Sequence, residues 1–358
     1  MKKIKEEGKI KVKKLIDLIN EVDKEPEPKL LWKGIPEGSH GLIVGHAKAG
    51  KTTFAENLAM AISIGSKQYF GYELDGDPKK VLFINIEEPY RLRARRNKKQ
   101  ISEMNEKELE LFSKNFDTTN KDFLEFINDE EDWKNLSTYI ESSDAEIVFI
   151  DSLTNMFKGK IEDSSAGRNF IELFSKYLKK LNKTYIIIHH TTKTNDKPLE
   201  PNNVAGSRVI LQYFEFIYGM SEVPSEMGGN YFCDVQNKYF EKDSQMARMY
   251  KFNENGWIDF VECKNKYHLY DERKSKSDGR IDNTNQDLLY DYILNQYNMG
   301  NMTVSTSAMM HDLVYPIDST MSHDTFHKSR NKLIKSNQIK KIGRGVFELV
   351  EDKLLKNE

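Results

Sequence analysis

The chain has 358 residues, 38% of them hydrophobic and 31% charged, which is enough to bury one large core and a smaller second one. A formal net charge of −2 excludes a globally basic protein, so any binding to nucleic acid must come from local basic patches. The opening "MKKIKEEGKIKVKKLIDLI" has no long apolar run and predicts neither a signal peptide nor a membrane span, and the two cysteines, Cys233 and Cys263, lack metal-ligand spacing and predict buried thiols in a cytoplasmic protein.

Residues 1–30 read as an arm. Leu15, Ile16, Ile19 and Val22 fall at helical spacing before "DKEPEPK" breaks the helix with two prolines. Such a stripe needs a surface, either the chain's own core or a neighbouring subunit. From residue 31 to 270 apolar strands alternate with amphipathic helices. "GLIVG" (41–45), "VLFINI" (81–86), "EIVFID" (146–151) and "TYIIIHH" (184–190) are near-continuous apolar runs, as expected of strands buried on both faces of a parallel sheet. Helices are expected at 51–64 and 167–182, and 100–143 reads as a charged helical insertion. Segments 230–240 and 246–261 predict further strands, added antiparallel at an edge. The fold class is α/β, a mostly parallel twisted sheet flanked by helices, with ligands at the C-terminal ends of the strands. Residues 271–285, "DERKSKSDGRIDNTN", have no apolar periodicity and read as a linker. In residues 286–352, three helices and a hairpin around Gly343-Arg344-Gly345 predict a small winged-helix domain.

The run Gly45, His46, Ala47, Lys48, Ala49, Gly50, Lys51, Thr52, Thr53 contains G-x-x-x-x-G-K-T between a buried strand and a helix. In that setting backbone N–H groups and the helix N-terminus hold phosphates, Lys51 reaches the β/γ-phosphates and the Thr52 hydroxyl meets Mg²⁺. Asp151, at the end of "EIVFID", is placed as a second Mg²⁺ carboxylate. Glu87 and Glu88 leave the end of "VLFINI" just before Pro89, where a carboxylate can orient and deprotonate water, and Glu87 comes first off the strand. His189 and His190 end a further strand, where one of them can contact the γ-phosphate. Zinc is excluded there for want of nearby ligands at the right spacing. ATP and Mg²⁺ are the expected cofactors.

In order and spacing, "LWKGIPEGSHGLIVGHAKAGKTTFAENLAMAISIG", "VLFINIEEPYRLRARR", "IDSLTNMF", "IIIHHTTK" and "VAGSR" resemble the signatures of the RecA/DnaB-type ATPases, and in particular the RepA-type replicative helicases of plasmids and phages, over residues 31–262. The resemblance implies a RecA-like core that assembles into a homo-oligomeric ring, usually a hexamer, with ATP between subunits. It implies that Glu87 is the base, that Asp151 supports Mg²⁺ and that His189 or His190 senses the γ-phosphate. It also implies that loops 158–169 and 193–207 line a channel for single-stranded DNA. They lack aromatic residues, so a grip there would be on the backbone and insensitive to sequence. These rings complete catalysis with a basic residue from the neighbour, often in a Lys-x-Arg pair. Here Lys238 matches the lysine, Phe240 stands in the arginine position, and Arg208 is a possible substitute.

The densest basic run, "RLRARRNKK" (91–99), suits either DNA contact or a solvated helix face. On the expected recognition helix lie His327, Lys328, Arg330, Lys332 and Lys335, and on the wing Lys340, Lys341 and Arg344, which suits duplex DNA or a replication protein. His323 and His327 lack a third ligand for a metal. Tyr69, Phe70, Tyr72 and Tyr90 are candidates to stack on adenine. The sequence therefore predicts an ATP-driven ring motor on single-stranded DNA, a hexameric replicative helicase. The alternative is an ATP-dependent DNA-binding regulator or recombination mediator, whose nucleotide controls assembly.

Overall fold

The computed structural model describes residues 12–157, 162–191, 197–206, 208–223, 228–239, 245–273, 284–298, 301–315, 321–336 and 338–350. Packing divides the chain into two units. One comprises Met1–Thr191, Val204–Tyr218 and Lys251–Phe260, and the other Thr192–Asn203, Gly219–Tyr250 and Val261–Glu358. No helix among the described residues is long and apolar enough to cross a membrane.

The first unit begins with helix α1 (Leu15–Val22), whose Leu15, Ile16, Leu18, Ile19 and Val22 are all exposed. Its apolar stripe therefore does not pack on the chain's own core. The main elements that follow, apart from short hairpins of two- and three-residue strands, are β1 (His40–Gly45), α2 (Lys51–Ser63), β2 (Val81–Asn85), α3 (Tyr90–Ile101), α4 (Glu106–Asn115), β3 (Phe116–Thr118), α5 (Glu130–Ser142), β4 (Ile147–Asp151), α6 (Ser164–Tyr177), β5 (Thr184–His190), α7 (Arg208–Tyr213) and β6 (Phe216–Glu222). The sheet runs in the order β6–β1–β5–β4–β2–β3, with β6 giving Phe216–Tyr218 to this unit. All pairings from β1 to β3 are parallel. Every residue of β1, β2 and β4 is buried, as the unbroken apolar runs require of strands covered on both faces. Phe83 and Phe149 stack across β2 and β4 with ring centroids 5.7 Å apart.

The charged insertion is two capped helices and an edge strand. In α4 the Asn105 side chain and Glu108 form a capping box, and in α5 Asp129 and Asp132 do the same. Trp133, Leu136 and Ile140 share one face of α5, and Trp133 meets Phe170 of α6 edge-on at 5.6 Å. Helix α6 starts at Ser164, earlier than the expected residue 167, because Asp163 accepts a hydrogen bond from the Ser165 N–H. The second half of the expected DNA loop 158–169 is thus helix, while 158–161 lie outside the described residues.

In the second unit β7 (Asn230–Asn237) pairs antiparallel with β8 (Met246–Phe252), whose Met246–Tyr250 belong to this unit, with Asn230 opposite Tyr250 and Cys233 opposite Ala247. The expected stretch 246–261 is two strands, β8 and β9 (Ile258–Asn265), parted by a turn in which Gly256 has φ 78°. Residues 197–203 of the expected loop 193–207 are anchored. Leu199 is buried, its N–H donates to Tyr231 Oη at 3.2 Å, and its carbonyl accepts from Lys266 Nζ at 3.0 Å. Residues 192–196 and 207 lie outside the described residues. Cys233 is buried as expected, but Cys263 is exposed.

The chain then forms α8 (Thr284–Asn298), β10 (Val304–Ser305), α9 (Thr306–Leu313), α10 (His323–Lys335), β11 (Ile339–Gly343) and β12 (Val346–Leu349). Its three strands pair antiparallel in the order β10–β12–β11 over a core that includes Leu289, Ile293, Met309, Phe326, Leu333 and Phe347. Ser305 and Ser322 cap α9 and α10.

One close approach in the first unit depends on a missing side chain. A Cβ on Gly41 would sit 2.3 Å from a ring carbon of Phe216, so β1 and β6 close only because residue 41 is glycine. Gly41→Ala is expected to lower the unfolding free energy by about 1–3 kcal/mol in urea titrations. Adding Phe216→Leu should recover part of that loss.

Candidate nucleotide site

Strand β1 ends at Gly45 and α2 begins at Lys51, so the phosphate-loop motif spans one tight turn. Gly50 is the N-cap of α2 with φ 81°, a left-handed conformation that favours glycine. The ring of Phe252 also lies where a Cβ on Gly50 would be, at 2.5 Å. The first helical bond of α2 joins the Phe54 N–H to the Gly50 carbonyl. The N–H groups of Lys51, Thr52 and Thr53 therefore have no carbonyl within the helix and are available to an anion.

Lys51 is buried and its Nζ donates to the His46 carbonyl at 2.8 Å. Burial lowers its pKa, opposed by the charges of Asp151 and Glu87. Thr52 Oγ1 donates to Asp151 Oδ2 at 2.6 Å. Asp151 is 2% exposed, and burial, with the charge of Glu87 added, pushes its carboxyl up to about 6 against the Thr52 bond. The strand register gathers these groups at one end of the sheet. Gly45 lies opposite His190, Asp151 opposite Ile188, and Asn85 opposite Asp151.

That register also places the acidic pair. The Ile86 N–H donates to the Asp151 carbonyl at 2.7 Å, so the chain leaves β2 directly beside the end of β4. Glu87 Oε2 stands 3.7 Å from His190 Nε2. His190 and, against the effect of burial, the Ser152 hydroxyl hold the Glu87 carboxyl down at about 2. Glu88 faces elsewhere and is bound by Arg96.

The two histidines differ. His190 is partly exposed beside Glu87, whereas His189 is buried with Nε2 2.8 Å from the Ala205 carbonyl. A carbonyl only accepts, so His189 carries its proton on Nε2. Burial lowers its pKa to about 4 and keeps the ring neutral at pH 7.

The donor set suits a polyphosphate with a hard divalent cation. It offers free helix N–H groups, an ammonium, and a hydroxyl paired with a buried carboxylate. Asn85 Nδ2, a buried donor with no partner among the described residues, stands at the same strand level as Asp151. Gly45, Gly50, Lys51, Thr52, Thr53, Asp151, Glu87 and His190 are brought together. Ala47 and Lys48 lie on the exposed side of the loop, while Ala49 is buried.

The other candidates fall on other elements. Arg208 is exposed at the start of α7, Lys238 lies in the second unit just past β7, and Phe240 is outside the described residues. Tyr69 and Phe70 are buried around Phe54, at 5.3 and 5.2 Å between ring centroids, and Tyr72 meets Trp32 edge-on at 5.6 Å. Tyr69 and Phe70 are thus core, and Tyr72 is half-buried against Trp32. Tyr90 is exposed. The basic run 91–99 does not present all its charges to solvent, because Arg93 and Arg96 turn inward. Arg93 donates to Thr119, and Arg96 to Glu56 and Glu88. The latter contacts have a signal in the sequence. Arg93 and Arg96 are three apart on one helix, and Glu56 is a lone acid within "FAENLAMAI", which a buried helix face keeps only with a partner. Among the described residues no group of three or more His, Cys, Asp or Glu is placed to hold a metal, which leaves His323 and His327 as a ring pair 4.6 Å apart.

A phosphate loop at a helix N-terminus, with a strand-end carboxylate bonded to its threonine, defines a P-loop nucleotide-binding protein. The family described as an AAA domain matches residues 9–196, just over half of the chain, and the chain belongs to this family of P-loop ATPases. Among solved structures it is similar to a KaiC-like protein from the hyperthermophilic archaeon Pyrococcus horikoshii OT3. The identity is 15% and the TM-score 0.45, over 66% of this chain and 100% of that one. No curated protein matches the chain.

The raised pKa of Asp151 means that the folded state prefers its protonated form. That residue's contribution to stability falls as pH rises from the ordinary carboxylate range through about 6. Asp151→Asn, which keeps an acceptor for Thr52, should therefore melt higher than the wild type at pH 7–8 without nucleotide. The advantage should shrink below about pH 4 in thermal scans. The same change should weaken the Mg²⁺ dependence of ATP binding.

Proposed function

We propose that the protein is an ATP-hydrolysing motor with a RecA-like core that works as a homo-oligomeric ring, a hexamer, on single-stranded DNA: a replicative helicase of a plasmid, phage or mobile element, acting in the cytoplasm. The observation that carries this reading is the level at which the strands end. Glu87, His190, Asp151 and the Lys51–Thr52 pair gather there, which supports a hydrolase over a passive nucleotide binder.

In the proposed mechanism the loop N–H groups from Gly45 to Thr53 and Lys51 hold the ATP phosphates, with Thr52 and Asp151 holding Mg²⁺. The cation would neutralise charge on the β- and γ-phosphates. Glu87, ionised at neutral pH, orients the attacking water and accepts its proton. His190, beside Glu87, reports the γ-phosphate to the segment after β5. His189 ties the end of β5 to Ala205 through its Nε2 proton. Arg208 is the proposed contribution to a neighbour's site, with Lys238 a second candidate. The segments after β4 and β5, which include 158–161 and 192–196, are the proposed contacts with the DNA backbone.

Residues 284–350 support a winged helix, since helix, short strand, two helices and a two-stranded hairpin follow in that order. Lys328 and Lys335 on α10, and Lys340, Lys341 and Arg344 on the hairpin, are exposed and suit duplex phosphates or a replication protein. Arg330 is not among them, because its guanidinium packs over Phe326 and Phe347 at 5.8 and 5.5 Å. Phe240, in the position of a finger arginine, favours the second reading, a DNA-binding regulator or recombination mediator in which ATP controls assembly.

Turnover measurements separate the two readings. The motor requires ATP hydrolysis stimulated by single-stranded DNA, displacement of an annealed strand, and a ring in native mass spectrometry with ATP and Mg²⁺. Duplex binding promoted by ATP with negligible turnover establishes the regulator instead. Glu87→Gln should retain ATP binding and lower the rate by about 100-fold or more. An unchanged rate removes Glu87 from the role of base. Lys341→Glu with Arg344→Glu should weaken duplex binding and leave the basal ATPase rate within about twofold, since both lie on the hairpin of the second unit.

A further inference from the structure

Between the phosphate-loop helix and the turn that carries Glu87 lies a charge cluster with no part in the mechanism above. Glu56, on α2 five residues after Lys51, is 1% exposed. Arg96, on α3, donates from Nε to Glu56 Oε2 at 2.7 Å and from Nη2 to Glu56 Oε1 at 2.9 Å. The same guanidinium donates from Nη1 to Glu88 Oε1 at 2.8 Å and from Nη2 to Glu88 Oε2 at 2.6 Å. Burial works against the Arg96 charge, but the bonds to Glu56 and Glu88 more than offset it. Four charge-assisted bonds from one planar group fix both carboxylates in place, which a lysine cannot reproduce.

The turn is closed on its other side as well. The Glu88 N–H donates to Asn85 Oδ1 at 2.8 Å. Arg93, one turn before Arg96, donates from Nη2 to the Thr119 carbonyl at 2.9 Å, and the Asn85 N–H donates to Thr119 Oγ1 at 3.3 Å. Residues 85–88 are therefore held at the strand end by Asn85 and at the outer end by the Glu88 carboxylate. Glu87 sits between these fixed points. Glu88 is drawn toward α2 and α3 by Arg96, while Glu87 stands beside His190.

We propose that Arg96 is a positioning residue for hydrolysis: by clamping Glu88 to Glu56 of the phosphate-loop helix, it fixes the turn that presents Glu87 to the nucleotide. The clamp ties the proposed base to the same helix whose N-terminus holds the phosphates, so the water-activating carboxylate and the phosphate loop keep one spacing. This proposal rests on the reading of Glu87 as the base. It assigns opposite tasks to adjacent glutamates, one to act on water and one to anchor.

The test uses the full-length protein, with steady-state ATP turnover, the dissociation constant of a fluorescent ATP analogue, and the melting temperature measured for each variant. Arg96→Lys keeps the charge but loses the fork. It should lower kcat by about tenfold or more and leave nucleotide affinity within about twofold, because a misplaced catalytic group costs rate rather than binding. Should Arg96→Lys not fold, Glu88→Ala serves instead, since it leaves the buried Glu56–Arg96 pair intact. Glu88→Ala should show the same split of kcat from affinity, and Glu88→Gln, whose amide oxygen still accepts from Arg96, should recover part of the rate. The proposal is overturned if Glu88→Ala keeps kcat within about twofold, or if rate, affinity and melting temperature fall together in both variants. Glu87→Gln separates the two layers. If it turns over normally, the base reading has failed; if it is inactive while Glu88→Ala is fully active, only the clamp has failed.

Discussion

The hydrogen-bonded register of four parallel strands is the constraint on which the rest of the site depends. Gly45, Asn85, Asp151 and His190 are scattered along the chain, yet the ladders pair Asn85 with Asp151 and Gly45 with His190, which lie two residues farther along the sheet. A shift of one residue in any ladder would turn His190 or Asp151 to the opposite face of the sheet. The buried β-branched and aromatic residues of these strands resist such a slip, because each would exchange core contacts for a buried polar end. Stability and chemistry are thus set by the same contacts.

Charge is the second organising element. Glu56, Glu87, Glu88 and Asp151 lie close together, and their charges are met in three ways. Arg96 neutralises Glu56 and Glu88, His190 and Ser152 hold Glu87 ionised, and the Thr52 hydroxyl donates to Asp151. Burial leaves Asp151 the carboxylate least satisfied by the protein, with its pKa raised to about 6. A carboxylate of that kind has most to gain from a cation, which agrees with its proposed role toward Mg²⁺. The protein keeps this unfavourable placement at a site of function, where local strain and unpaired charge concentrate.

Much of this was legible in the residues. The four apolar runs were strands within one residue of their expected ends, and the phosphate loop stood between strand and helix as its motif requires. Legibility failed where a single polar residue sets a boundary. Asp163 starts α6 three residues early, and the turn at Gly256 divides one expected strand into two. It failed again where side chains choose between surface and interior. Tyr69, Phe70 and Tyr72 resembled free stacking faces but are packed on Phe54 and Trp32, and Arg93, Arg96 and Arg330 resembled a basic surface but serve internal contacts. Helical spacing shows that residues share a face without showing what that face meets.

The sequence by itself determined the nucleotide class. A phosphate loop works through backbone N–H groups, a lysine and a hydroxyl whose spacing along the chain is their spacing in space, so a local motif carries its chemistry with it. Alternation of apolar strands and helices likewise determined the α/β sheet, because burial on both faces demands it. Only the tertiary structure decided which partners Glu87 and Glu88 take and which of His189 and His190 is exposed beside Glu87. Adjacent residues of like chemistry carry no local mark of the partner each will meet. Their roles are set by partners distant in sequence, Arg96 and Glu56 for one glutamate, His190 for the other and Ala205 for the buried histidine.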